Sequence, residues 1–270
     1  LRGVENTSGP LGQGHTFAVG AAIAAKFLAH RPGWVMSQTI YAYISDGGIQ
    51  EEISQGAGRI AGHLGLDNLI MYYDANNIQL STTVEEVDSE DVAAKYKAWG
   101  WHVIEIDGCC PEAIRKALRE AKATVGQPTL IIGKTIMGRG AVGPNGENYE
   151  NSVNTHGQPL SAAGASIEAT TKNLGGDPEA PFQIFPDVQE LYAARLQELR
   201  ELAKARKQEE KTWREENPDR ASKLDRWFAG EVPAVDWKSI EQKPNQATRA
   251  ASATVLSALA EQVENMIVAS

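Results

Sequence analysis

At 270 residues, 42% hydrophobic and 23% charged, the chain has the make-up of a globular protein with a sizeable core, not of a disordered or membrane chain. Its 35 acidic residues against 26 basic ones give a formal charge of −9, which disfavours nucleic acid and anionic lipid as partners. No apolar run approaches the ~18 to 20 residues that cross a bilayer, so no membrane partner is expected. The opening residues lack a charged-then-apolar signal pattern. The only cysteines, Cys109 and Cys110, are adjacent, a spacing that suits neither a disulfide framework nor a metal knuckle. A reducing, cytoplasmic location is the expectation. A diphosphate ligand stays compatible with the negative charge, because backbone N–H groups, a divalent metal and a few histidines can bind it locally.

Along the chain, a turn rich in glycine and proline (Gly9, Pro10, Gly12, Gly14) leads into an alanine-rich segment, Gly14 to Leu28, predicted as a mostly buried helix. Thr39 to Ser45 is β-branched and aromatic and ends at Asp46-Gly47-Gly48, which reads as a strand and a tight turn. A helix is predicted from Glu51 to Leu64. Strands follow at Leu69 to Tyr73, His102 to Ile106 and Thr129 to Ile132, with helices at Ser89 to Trp99 and from Pro111 to about Thr124. Strands alternating with helices predict an α/β fold, a parallel β-sheet with helices on both faces.

From Gly138 to about Gln183 the pattern dissolves into Gly, Asn, Ser and Pro and reads as a long loop, of the length that is usually functional. Asp187 to Glu216 repeats apolar residues at helical spacing amid dense mixed charge, which predicts a long, largely exposed helix serving as a solvated linker. Gln246 to Glu264 is predicted helical, and Asn265 to Ser270 is expected to begin a strand.

Asp46 and Asn76 end successive predicted strands, one strand-helix-strand unit apart, where a parallel sheet binds its ligands. A carboxylate, an amide oxygen and the main-chain carbonyl of Ile78 supply three hard oxygens of a Mg²⁺ or Ca²⁺ site, with phosphate oxygens and water to complete it. Gly47 lets a phosphate approach the backbone, and the helix starting near Glu51 adds its dipole. Asp-Gly is also a common turn and Asn-Asn a common loop opener, so the pairs alone fit a purely structural role equally well.

The same residues carry a family resemblance. Ser45-Asp46-Gly47 and Asp74-Ala75-Asn76-Asn77 resemble the Gly-Asp-Gly and downstream Asn-Asn shared by thiamine-diphosphate enzymes. Gly3 to Gly14 (GVENTSGPLGQG), Ala18 to Lys26 (AVGAAIAAK), Ile60 to Asp74 (IAGHLGLDNLIMYYD), Trp99 to Val103 (WGWHV) and His156 to Leu160 (HGQPL) resemble, in order, the blocks of the transketolase branch. The resemblance implies a thiamine-diphosphate-binding fold and a reversible transfer of a two-carbon ketol unit from a ketose phosphate such as xylulose 5-phosphate to an aldose phosphate such as ribose 5-phosphate, in the pentose phosphate pathway. It implies thiamine diphosphate and Mg²⁺ or Ca²⁺ as cofactors. Asp46, Asn76 and the carbonyl of Ile78 would hold the metal, and Gly47 and Asn76 would lie against the diphosphate. Gly9, Pro10 and Leu11 would line the rings, and His156 would act beside the diphosphate and the entering sugar. Outside the HGQPL block, His156 would read as an ordinary loop histidine.

The resemblance further implies a homodimer with active sites between subunits. Glu51 matches an interface glutamate of the family, though an exposed helix-start glutamate is the plain alternative. Residues 1–137 would form a diphosphate domain lacking its N-terminal part, 138–245 the loop of His156 and a helical linker, and 246–270 the start of a truncated pyrimidine domain. The activating glutamate and the sugar-phosphate arginines would lie outside this sequence, leaving the chain inactive alone. Ser45 replaces the first glycine of the motif, Glu52 stands where glycine is usual, and Gln55-Gly56 replaces His-Glu. Other readings are a further thiamine-diphosphate enzyme (dihydroxyacetone synthase or deoxyxylulose-phosphate synthase), a split enzyme with its C-terminal part on another chain, and a non-catalytic assembly protein that kept the fold. A nucleotide-binding Rossmann reading is weaker, since no Gly-x-Gly-x-x-Gly follows the first strand.

Overall fold

The computed structural model describes residues 9–33 and 37–268. Residues 3–8 of the GVENTSGPLGQG block therefore lie outside the described residues. Gly12 adopts φ 82°, a left-handed conformation that favours glycine, and begins α1 (Gln13–His30). The inward stripe of α1 is His15, Ala18, Val19 and Ala22, the i, i+3, i+4, i+7 spacing of one helix face.

After it come β1 (Ile40–Ser45), α2 (Asp46–Gln50), α3 (Glu52–His63), β2 (Leu69–Ala75), α4 (Val92–Ala98), β3 (His102–Asp107), α5 (Pro111–Ala123) and β4 (Thr129–Lys134). The four strands form one parallel sheet in the order β1-β2-β4-β3. From β1 through β2 to β3 the chain moves one way across the sheet, and from β3 to β4 it steps back. Right-handed crossovers then put α3 and α4 on one face and α5 on the other. The strand residues divide accordingly. Ile44, Leu69, Met71, Tyr73, Leu130 and Ile132 join Ala18, Val19, Ala22, Ala57, Ala61 and Tyr96 in one core. Ile70 and Ile131 join Ala117 and Ala121 in the other. The expected parallel α/β sheet with helices on both faces is what forms.

Several local expectations are corrected. Asp46-Gly47-Gly48 does not make a simple turn. It opens the five-residue helix α2, and the chain breaks at Glu51 (φ −63°, ψ 134°) before α3. The helix predicted from Ser89 begins at Val92, because Asp91 is its cap and its Oδ1 accepts from Ala94 N at 2.9 Å. The predicted loop 138–183 contains two short helices, α6 (Leu160–Ala163) and α7 (Ile167–Asn173). Ser166 caps α7, and the buried Thr170 hydroxyl pairs with Val142 N and O, holding the segment in place.

The long helix α8 (Pro186–Glu216) is exposed along most of its length. Beyond it, α9 (Pro218–Phe228) occupies a stretch read as merely polar. Pro218 stands at its start, and Ala221 and Leu224 are its buried side. The last helix is α10 (Thr248–Gln262). The strand expected from Asn265 is not present at 265–268, where no described residue pairs in a ladder with it; 269–270 lie outside the described residues. The chain divides into two units, 1–204 and 205–270, with the boundary inside α8. Among the described residues no helix is long and apolar enough to cross a membrane.

Candidate functional site

The register of β1 against β2 pairs Ser45 with Asp74, so both strands finish at the same edge and the residues just beyond them meet there. Asp46 is 3% exposed. Its Oδ1 accepts from the Tyr73 hydroxyl at 2.6 Å, and its Oδ2 accepts from the backbone N–H of Asn76 at 3.2 Å. Burial raises the Asp46 carboxyl above the ordinary carboxylate value, and the Tyr73, Asn76 and Asn77 hydrogen bonds oppose that rise. A carboxylate so enclosed invites a cation.

Asn76 and Ile78 lie in a tight loop. Asn76 Oδ1 accepts from Ile78 N at 3.0 Å, Asn77 adopts φ 66°, and Ile78 is 4% exposed. Carboxylate and amide oxygens each carry a second lone pair beyond these bonds. Among the described residues no three His, Cys, Asp or Glu side chains gather to hold a metal. What the structure does join is Asp46 to the Asn76 backbone and Asn76 to the Ile78 backbone, and a carboxylate with amide and main-chain oxygens is the kind of set that fits a hard cation sharing anionic ligands.

The Gly9-Pro10-Leu11 turn closes on the same corner. A Cβ on Gly47 would lie 3.3 Å from Leu11 Cδ1, and a Cβ on Gly12 would lie 2.5 Å from Ile53 Cγ2 and 3.0 Å from Glu51 Cβ. A side chain at Gly47 would therefore press on Leu11, whereas Gly12 has no room for one. Ser54 Oγ, buried, donates to Gly48 O at 2.6 Å and fastens α3 to α2. Gln55 Nε2 donates to Gln50 O at 3.3 Å across the same break. Glu51 itself is exposed. His156 follows a 3-10 turn (Val153–Thr155), and the adjoining Gly157 stands where a Cβ would be 3.8 Å from Leu80, two residues after Ile78. The His156 loop thus leans on the segment that follows Asn76.

Most of the buried polar side-chain atoms without a hydrogen-bond partner among the described residues fall on these segments: both ring nitrogens of His15, Nε2 of Gln50, Nε2 of Gln79 and Nδ1 of His156; Asn68 Oδ1, Tyr96 Oη and Thr129 Oγ1 lie elsewhere. Such atoms are rare in a finished interior and mark where a polar ligand would complete the pairing. Sequence reasoning missed His15, Gln50, Gln79 and Tyr73. Tyr73 had a detectable signal, since a hydroxyl in an otherwise apolar strand needs a partner once buried. The second acid of the region, Asp74, points to the other face and is engaged by the Tyr43 and Thr135 hydroxyls.

Residues 1–233 match the family model for the thiamine diphosphate binding domain of transketolase. Transketolase 2 of Xanthobacter flavus is 37% identical over 279 residues, covering 98% of this chain and 39% of its own length. The chloroplastic transketolase-1 of Arabidopsis thaliana is 36% identical over 275 residues, covering 98% and 36%. Among solved structures, a transketolase from Leishmania mexicana superimposes with a TM-score of 0.83 at 32% identity, over 97% of this chain and 39% of that one. A Pichia stipitis transketolase in complex with sedoheptulose 7-phosphate superimposes with a TM-score of 0.79 at 31% identity, over 96% and 38%. The chain thus spans well under half the length of these relatives.

Proposed function

Because the chain belongs to the transketolase family, we propose that it provides the diphosphate-binding half of an enzyme that moves a two-carbon ketol unit reversibly from xylulose 5-phosphate to ribose 5-phosphate in the pentose phosphate pathway. The carrying observation is the meeting of Asp46, Asn76, Gly47 and Leu11 at one strand edge. Asp46, the amide oxygen of Asn76 and the carbonyl of Ile78 hold Mg²⁺ or Ca²⁺. Gly47 admits a diphosphate oxygen against the backbone. Gly9, Pro10 and Leu11 lie along the rings, and His156 donates a hydrogen bond at the diphosphate and the entering sugar. When bound, thiamine diphosphate supplies the thiazolium carbon that acts as the carbon nucleophile.

The domain reading remains that of the motifs: 1–137 for the diphosphate domain, 138–245 for the His156 loop and helical linker, and 246–270 for the start of a pyrimidine domain. A homodimer with active sites between subunits is supported by exposed apolar side chains, Ile53 and Ile60 on α3 and Leu64 at its end, with Leu11 and Phe17 exposed as well. Glu51, at the head of that helix, would belong to the same interface. Two unpaired cysteines support a reducing compartment, and the cytoplasm is proposed.

Ketol transfer is to be measured with the complete protein, thiamine diphosphate and Mg²⁺, beside its Asp46→Ala variant. Cofactor-dependent turnover that disappears in the variant is the expected result. Tight cofactor binding without turnover would point to a different thiamine-diphosphate enzyme, and absence of binding would overturn the reading.

A further inference from the structure

His15 is 4% exposed, and neither of its ring nitrogens has a hydrogen-bond partner. It shares the stripe of α1 that packs inward through Ala18, Val19 and Ala22. An apolar residue at this place would bury without penalty, whereas an imidazole leaves a donor and an acceptor dry. Burial pushes the ring down to about 4, so it is neutral near pH 7, with one N–H to give.

The surroundings point to what would take that N–H. His15 lies in the first turn of an 18-residue helix whose N-terminus has no side-chain cap; its own N–H donates to Gly12 O at 3.1 Å, and the positive end of the helix favours an anion. Leu11, just ahead of that turn, abuts Gly47, and Gly12 abuts the start of α3. The helix end therefore faces the turn that follows Asp46. Helical side chains lean toward the helix N-terminus, so the His15 ring leans to that same end.

We propose that His15 is a further anion-binding residue, donating its ring N–H to the diphosphate of the bound cofactor. The assignment rests on the thiamine-diphosphate reading of the site. Isothermal titration of the complete protein and its His15→Leu and His15→Gln variants with thiamine diphosphate and with inorganic pyrophosphate, each with Mg²⁺, tests it. The leucine variant is expected to bind both ligands about tenfold more weakly, the loss of one hydrogen bond to a charged group. Glutamine, which keeps a donor, is expected to recover most of that loss. The melting temperature without ligand should stay level or rise in the leucine variant, which separates ligand contact from a structural role.

Equal affinities for wild type and leucine variant would overturn the assignment, as would a loss for thiamine diphosphate without one for pyrophosphate. Independently of any variant, pyrophosphate should shift the His15 ring signals of ¹⁵N-histidine-labelled protein, and unmoved signals would also overturn it. Wild type that binds neither ligand would sink the thiamine-diphosphate reading and the assignment with it. Wild type that binds both, with unchanged variants, would sink the assignment alone.

Discussion

Asp46 and Asp74 occupy the ends of neighbouring parallel strands but face opposite sides of the sheet, and their surroundings differ in kind. Asp74 is engaged by two hydroxyls, from Tyr43 on β1 and Thr135 beyond β4, and so fastens three adjacent strands together. Asp46 is buried, holds a phenol and backbone N–H groups, and has partnerless polar atoms on the segments around it. The same side chain is a rivet on one face and a candidate ligand on the other. What separates them is whether local donors already use the carboxylate fully.

The largest test of that contrast exchanges each acid for alanine. Asp46→Ala is expected to weaken Mg²⁺-dependent thiamine diphosphate binding by about a hundredfold or more, since removing one partner of a buried charged contact costs about 3 kcal/mol. Asp74→Ala is expected to leave binding nearly intact and to cost about 1 to 3 kcal/mol of stability in urea, because two hydroxyls lose their acceptor. Calorimetric affinity and a urea titration on both variants would break the comparison if Asp74→Ala lost affinity as Asp46→Ala does.

Next in size is an acid dependence centred on His15. Its folded value is about 4 against 6.5 in the free side chain. A depressed base contributes its stability above 6.5 and loses it as pH falls toward 4, because the unfolded chain takes up the proton first. The loss amounts to about 3 kcal/mol over that range. Urea unfolding of the apo protein between pH 7 and pH 4 should show it, and His15→Leu should lack that component. Gly12→Ala should then cost about 1 to 3 kcal/mol at neutral pH, since it forces a side chain into φ 82° and against Ile53. A wild-type melting curve for that variant would mean that the turn joining Leu11 to Gly47 is soft.

Much of this architecture was legible in the amino-acid order, for definable reasons. Runs such as LIMYYD and TLII are buried on both sides, so their near-continuous apolar character marks parallel strands. The separation of Asp46 from Asn76 is the length of one strand-helix-strand unit, so their meeting could be expected from spacing. The environment of the pair could not. Whether Tyr73 or His15 finds a partner depends on residues far along the chain, and periodicity does not carry that information. The short α2 was missed because Asp-Gly-Gly has the composition of a turn, and α9 because dense charge hid the pair Ala221 and Leu224. Asn265 to Val268 has the composition of a strand, but a strand exists only where a neighbour pairs with it.

Tyr73→Phe is the smallest and most discriminating change, because it keeps the ring and removes only the hydrogen bond to Asp46 Oδ1. Burial already lifts the Asp46 carboxyl above its ordinary 3.8, and the phenol holds the rise in check. With a raised folded value, the apo protein is most favoured at low pH, where the acid is protonated, and loses that contribution as pH rises through the raised value. A cation reverses the preference by competing with the proton. Mg²⁺-dependent cofactor binding should therefore fall as the solution is acidified through the Asp46 value. In Tyr73→Phe that fall should begin at higher pH, with affinity lower by about 1 kcal/mol, the usual worth of one such bond. Superimposable pH profiles for the two proteins would mean that the cation does not sit on Asp46, and the distinction between Asp46 and Asp74 would then be one of burial alone.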